Sequence, residues 1–402
     1  MNPAKLIALP FRYQPWKPKH FVLIVESLKG ISRYPEHDHR IHASACIDWL
    51  CRAQDQRDGQ RDAGGVSAGW SFEDGWLPSY PETSGYIVET FLAAADYLER
   101  PELKERAGRI IDWELSIQNE DGSFPGHFGE PGSRPVVFNT GQISHGMMAG
   151  YEQLGRQECL EAAVRAGHWM LAQQDEDGCY RRNVHNGVPH TYNTRATWAM
   201  LRAGLAADDR ELVQGARRNV EWALAQQNEA GWYDSNAFVT GVAPFTHTIA
   251  YAVRGCLECG VLLDEPRFIE SALEAGRAMA AVQRDDGWLA GTYDENWTPR
   301  AGYCCLTGLA QTSLNWSRMM QTTGSDEFRD NVNRALAFLK RNHHIKGDGD
   351  VDDGAVAGSA PIWGRYSMFE FPNWAAKFFA DALMMDDLGT AIPPLPEKRG
   401  ED

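Results

Sequence analysis

No stretch of this sequence approaches the roughly 18 consecutive apolar residues of a spanning helix, so no membrane insertion is expected. A basic excess is missing as well: 39 Lys and Arg stand against 55 Asp and Glu, a net charge of −16. That balance argues against a nucleic-acid binder and suits a globular protein kept dispersed by its own charge. The opening MNPAKLIALPFRYQPWKPKHF is broken by Pro and Lys and holds no secretory apolar region. The eight Cys are scattered, and Cys304 and Cys305 are adjacent, which is no disulfide framework. Free thiols in a reducing compartment, and hence a cytoplasmic location, are expected.

What the chain does have is a repeat. An aromatic residue is followed five positions later by Gln and then by a turn with Gly: Trp49 and Gln54, Trp113 and Gln118, Trp169 and Gln174, Trp222 and Gln227. A weaker copy carries Ala278 and Gln283, and a degenerate one Phe338 and His343. A second register, Thr83, Thr140, Thr194 and Thr248, continued by Cys304 and Trp374, lies between those marks. Each member opens an Ala- and Leu-rich stretch, so its hydroxyl is expected to cap a helix that is apolar almost all round and buried. After a short break a second, amphipathic helix runs to the Gln. Six such pairs, from an outer helix near His39–Gln54 to an inner one near Trp374–Asp387, bury their inner faces only by stacking. The expected fold is all-α, a closed (α/α)6 ring of six inner and six outer helices. It forms one domain over 38–390, with an N-terminal extension over 1–37 and a tail over 391–402.

Connections from outer to inner helices run about 19–31 residues, far beyond ordinary helix–helix turns. All six emerge on one rim, which is where function is expected. They carry Trp70, Trp76, Trp232, Trp288, Trp297 and Trp363, flat amphipathic rings suited to the C–H faces of sugars. Just before each register position stands a polar residue: Glu82, Asn139, Asn193, His247, Tyr303 and Asn373. Ring closure brings these six toward the axis at inner-helix N-termini. Glu82, His247 and Tyr303 are poor caps but able acid–base groups.

The Gln–Trp repeat resembles that of triterpene cyclases and of alpha/alpha toroids more widely. Further stretches are similar to six-hairpin toroid proteins encoded with bacterial exopolysaccharide biosynthesis: Gly75 to Tyr86, His190 to Ala196, Cys305 to Gly308, Pro361 to Gly364 and Pro372 to Phe379. The resemblance covers about residues 38–388. It implies a carbohydrate-active protein in exopolysaccharide metabolism, with a saccharide as substrate and polysaccharide-synthesis machinery as a possible partner.

Several chemistries remain open on the residues alone. A hydrolase pairs Glu82 with a second carboxyl among Glu73, Asp74, Asp234, Asp294 and Glu295. A lyase or epimerase uses His247, Tyr192 or Tyr303 as base, with Arg195, Asn139 or Asn193 on a carboxylate. Asp350-Val351-Asp352-Asp353 matches the DxDD acid of protonating terpene cyclases, and its Gly/Asp run also resembles an incomplete calcium loop. Cys256 and Cys259, or Cys304 and Cys305 with His247 and His145, fall short of a zinc set, so no metal and no cofactor are expected. A non-catalytic ring that binds a glycan or a partner is the last alternative.

Overall fold

The computed structural model describes residues 10–28, 34–130 and 132–394. Residues 1–9 and 29–33 of the expected extension and 395–402 of the expected tail lie outside the described residues. Six outer helices, His39–Asp55, Glu102–Ile117, Gln157–Gln173, Arg210–Leu224, Pro266–Ala281 and Arg329–Arg341, alternate with six inner ones. The inner helices are Pro81–Tyr97, Val137–Leu154, Thr194–Ala206, Thr246–Leu263, Leu306–Thr323 and Asn373–Leu388. Each inner helix packs on the next. The sixth packs on both the first inner and the first outer helix, so the ring closes. A further helix, Pro18–Leu28, precedes them.

The repeat Gln explains itself here. Gln118 Nε2 donates to the turn carbonyl of Gly122 at 3.0 Å and to Ala162, on the next outer helix, at 2.9 Å. Gln54, Gln227 and Gln283 make the same double contact, with Gly64 and Arg106, Gly231 and Ser271, and Gly287 and Asn331. Gln174 reaches Gly215 alone, and Asn219 takes the Gly178 carbonyl in its place. In the sixth copy His343 Nε2 bonds the Gly354 carbonyl at 3.0 Å, and its Nδ1 meets His42 Nδ1 of the first outer helix at 2.8 Å. His42 Nε2 accepts from the His37 amide, so His42 Nδ1 carries the proton and donates to His343. The turn glycines have no substitute. Gly287 sits at φ +90°, and a Cβ there would lie 2.0 Å from the Arg334 carbonyl oxygen.

Two expectations need correction. The inner helices begin before the register hydroxyls in four of the six copies, so Thr83 and Thr248 donate back to Tyr80 and Phe245 carbonyls and cap nothing. The inner helices are also not apolar all round. Away from the rim they bury ion pairs: Arg202 with Glu89 and Glu152, Arg254 and Arg318 with Glu258, and Lys377 with Asp381. Paired charges of this kind neutralise one another inside the ring, which a hydropathy pattern does not reveal.

The long loops are not structureless. Strand Gly69–Ser71 pairs antiparallel with both Gly75–Trp76 and Glu370–Pro372, and Cys304–Cys305 pairs with Ser359–Ala360. The first and last loops are thereby joined across the seam of the ring.

Candidate active site

The rim loops and inner-helix N-termini enclose a cavity of about 420 Å³ on the ring. Its wall includes Glu82, Tyr86, His185, Tyr192, His247, Tyr251, Tyr366 and Trp374. Tyr86 and Tyr251 stand four residues beyond Glu82 and His247 on the same helices, and so extend the same face inward.

Glu82 is 8% exposed. Burial pushes its carboxyl up from 4.5 to about 7, against the opposing hydrogen bond from Tyr80. Tyr80 donates its hydroxyl to Glu82 Oε2 at 2.8 Å, which leaves Oε1 as the oxygen that carries the acidic proton. Asn139 Nδ2 donates to the Tyr80 oxygen at 3.4 Å, and Asn139 Oδ1 lies 3.0 Å from His185 Nε2. The Tyr192 hydroxyl lies 3.0 Å from His185 Nδ1. Burial lowers His185 to about 4, so its neutral ring donates to Asn139 from Nε2 and accepts from Tyr192 at Nδ1. Five side chains thus form one hydrogen-bonded line ending at Glu82.

His247 belongs to a second element of the wall. Its Nδ1 lies 2.8 Å from Gln311 Oε1. An amide oxygen only accepts, so Nδ1 carries the proton and Nε2 keeps its lone pair. Burial holds this imidazole down at about 3, so it is neutral at any ordinary pH. A protonated carboxyl and an unprotonated imidazole therefore share the cavity.

Glu82, Tyr192 and His247 line it, and Asn139 supports it from behind. Arg195 is buried beneath, its guanidinium 4.7 Å over the Trp198 ring and 5.9 Å from that of Tyr251. Asn193 is buried with its Nδ2 unpaired. Asn373 donates to the Ser67 carbonyl and to Thr83, a joint between loops that does not reach the cavity wall. Tyr303 stands elsewhere, half-buried against Gly291 and Gly364.

The six tryptophans expected on the saccharide do not line the central cavity. Trp70 is buried with Phe72 and Phe371, and Trp76 packs on Trp49. Trp297 donates to the Ala230 carbonyl and meets Trp232 edge-on. Trp288 and Trp363 lie at a separate groove. These indoles mainly fasten loops to the ring. The aromatic wall is instead mostly Tyr and Phe, together with Trp374.

The DxDD reading is overturned by its partners. Asp352 is paired with Lys19, with Lys346 at 2.7 Å and with His344 at 3.0 Å, and these hydrogen bonds hold it well below the usual carboxylate range. Asp353 accepts three backbone amides, from Lys346, Gly347 and Gly349. An acid that must stay protonated cannot be built this way. Glu26 lies near His344 and Asp352 in the single metal-capable group among the described residues, where the two lysine ammoniums already satisfy Asp352. Cys256 and Cys259 are buried in the fourth inner helix, Cys305 Sγ accepts the Gly308 amide, and His145 bonds the Arg195 carbonyl.

Sequence reading missed His185, Tyr251 and Gln311. The four-residue spacing from His247 points to Tyr251. No local signal marks His185, which sits in a loop, or Gln311, which reaches His247 from the next inner helix.

A family model for the squalene-hopene cyclase C-terminal domain matches residues 83–259. An unsaturated glucuronyl hydrolase from Bacillus sp. GL1 superposes with a TM-score of 0.69 at 14% identity, over 87% of this chain and 97% of that one. The chain is an alpha/alpha toroid. The cellobiose 2-epimerase of Bacillus thermoamylovorans matches this toroid with a TM-score of 0.65 at 10% identity, covering 86% and 99% of the two chains. An unsaturated glucuronyl hydrolase of Streptococcus agalactiae gives 0.66 at 14%, over 90% and 95%. No curated protein sequence matches the toroid. No helix among its described residues is long and apolar enough to cross a membrane.

Proposed function

We propose that this toroid is a carbohydrate-active enzyme that moves protons on a saccharide in the central cavity, in the manner of a lyase or epimerase. The observation that carries the reading is the pairing of one protonated carboxyl, Glu82, with one neutral imidazole, His247, in the same wall. A two-carboxyl hydrolase needs a second acid about 5–9.5 Å away. Glu82 is the one acidic residue in the cavity wall among the described residues, and Glu73, Asp74, Asp234, Asp294 and Glu295 do not reach it.

In this reading His247 Nε2 takes the proton from a carbon beside a carbonyl or carboxylate, and Glu82 Oε1 gives one to the oxygen that gains charge. Tyr80 steadies the carboxylate that Glu82 becomes, and Gln311 fixes the His247 tautomer. Tyr251, Tyr366 and Trp374 offer faces to the sugar ring. The names of the structural neighbours, glucuronyl hydrolases and a disaccharide epimerase, support a saccharide. The resemblance to exopolysaccharide-linked toroids supports a polysaccharide product, contact with its synthesis machinery and a cytoplasmic location.

The test is solvent exchange. Reducing disaccharides and uronate-ended oligosaccharides are incubated with the protein in D2O and followed by NMR. Deuterium at one ring carbon, lost in both Glu82→Gln and His247→Ala, is the expected result. Release of free sugar without deuterium at carbon would show a hydrolase, and glycan binding without either change a binding ring.

A further inference from the structure

A second cavity, of about 640 Å³, adjoins the first. Two loops serve as common walls. His185 and Asn186 face the central cavity while Val188 and Pro189 face the second, and Phe238 and Phe245 face the central one while the residues between them face the second. The partition is pinned from both ends. Asn186 donates to the Phe238 carbonyl at 2.8 Å, and Thr191 holds the Asp234 carbonyl through its hydroxyl and the Ser235 carbonyl through its amide.

The second cavity is chemically unlike the first. Its charged residues are Asp234, Asp294, Glu295 and Arg300. Arg300 pairs with Asp294 at 2.6 Å, and Asp294 also accepts the amides of Asn296 and Thr298. That leaves Asp234 and Glu295, both exposed, as uncompensated carboxylates. Trp232 lies beside them, its indole N–H on Asp234 Oδ1 at 3.2 Å. Asn236 also lines this cavity. It is 3% exposed, and neither its Nδ2 nor its Oδ1 has a hydrogen-bond partner. An unpaired buried amide carries a free-energy penalty that a ligand able to both donate and accept relieves. Sugar hydroxyls do both.

We infer that the second cavity is a subsite for further sugar units of the chain whose reacting unit occupies the first, and that it takes neutral or amino sugars and rejects uronates. Two free carboxylates accept from hydroxyls or ammonium groups and repel a sugar carboxylate. The inference rests on the central cavity being the saccharide site. It adds that the substrate is an oligomer and that the units beyond the reacting one lack negative charge.

Calorimetry on the full chain tests it, with Glu82→Gln used to stop turnover. The probes are di- and tetrasaccharides of the cello-, malto-, manno- and chitosan series, and tetragalacturonate. At least one uncharged or cationic tetramer is expected to bind tenfold or more tighter than its dimer, and tetragalacturonate more weakly than that tetramer. Asn236→Ala should bring the tetramer down to the dimer's affinity and leave the dimer unchanged. Because Asn236 is buried, the exposed pair Asp234→Asn with Glu295→Gln provides a second arm, expected to raise tetragalacturonate affinity fivefold or more. Dimers that bind with no gain on lengthening, or tetragalacturonate as the tightest tetramer, would overturn the subsite and leave the central site standing. If no dimer or tetramer binds, and wild type turns none over, the saccharide reading itself fails.

Discussion

Replacing Glu82 by Gln should stabilise the protein, and only above neutral pH. In the folded state burial raises this carboxyl from 4.5 to about 7. The unfolded chain therefore loses its proton first as pH climbs, and between those two values the native state loses stability relative to it. Below pH 4.5 both states are protonated and nothing is at stake. Above pH 7 the native state carries the whole penalty of a buried carboxylate, about 3 kcal/mol for a displacement of this size. Gln keeps the shape and still accepts from Tyr80, but has no charge to bury. Denaturant unfolding of both proteins from pH 4.5 to 8.5 should give curves that coincide at the acid end and part by about 3 kcal/mol at the alkaline end. For a chain of this length that is ~4 °C in melting temperature. A difference that stays flat with pH, or a variant that is less stable at pH 8.5, would refute the placement of Glu82 as a buried neutral acid.

Three other outcomes follow from named contacts. Tyr80→Phe removes the hydrogen bond that lowers Glu82, so the alkaline limb of turnover should move to higher pH in a pH–rate profile. Asp352→Asn should cost about 2–3 kcal/mol at pH 7 by stripping Lys19, Lys346 and His344 of their partner, with turnover unchanged. Because Asp352 is depressed in the folded state, that stability exists above the ordinary carboxylate value of 3.8 and is lost as pH falls below it, which acid titration of the variant should no longer show. Burial holds His343 down at about 4, so wild type should lose stability as pH falls from 6.5 toward 4. His343→Gln installs the residue used at the other joints, and its unfolding curves should flatten over that interval.

The ring was legible because its repeat is structural. Gln54, Gln118, Gln227 and Gln283 recur at one interval since each makes the same pair of bonds, and a fixed job leaves a fixed trace. The cavity was legible only where it shares that register. Glu82 and His247 sit at equivalent inner-helix starts and do line the wall, whereas Tyr303, at the same register position, is packed against Gly291 and Gly364 away from it. His185 and Gln311 act through contacts to residues 46 and 64 positions away, and no local spacing encodes those. The tryptophans misled because composition says that an indole suits a sugar but not which indole is free. Trp297 already has the Ala230 carbonyl, and Trp76 packs on Trp49.

The staples also separate two parts of each connection. In a connection such as 118–136, the turn that follows Gln118 is tied down, at Gly122, to the neighbouring hairpin. Everything after that turn, up to the next inner helix, can be lengthened, shortened or rewritten without loosening the ring. Walls of both cavities come largely from these downstream stretches, including 185–193 and 234–245. The molecule is in this sense a chassis with exchangeable panels, and a change of diet would need new panels and no new frame.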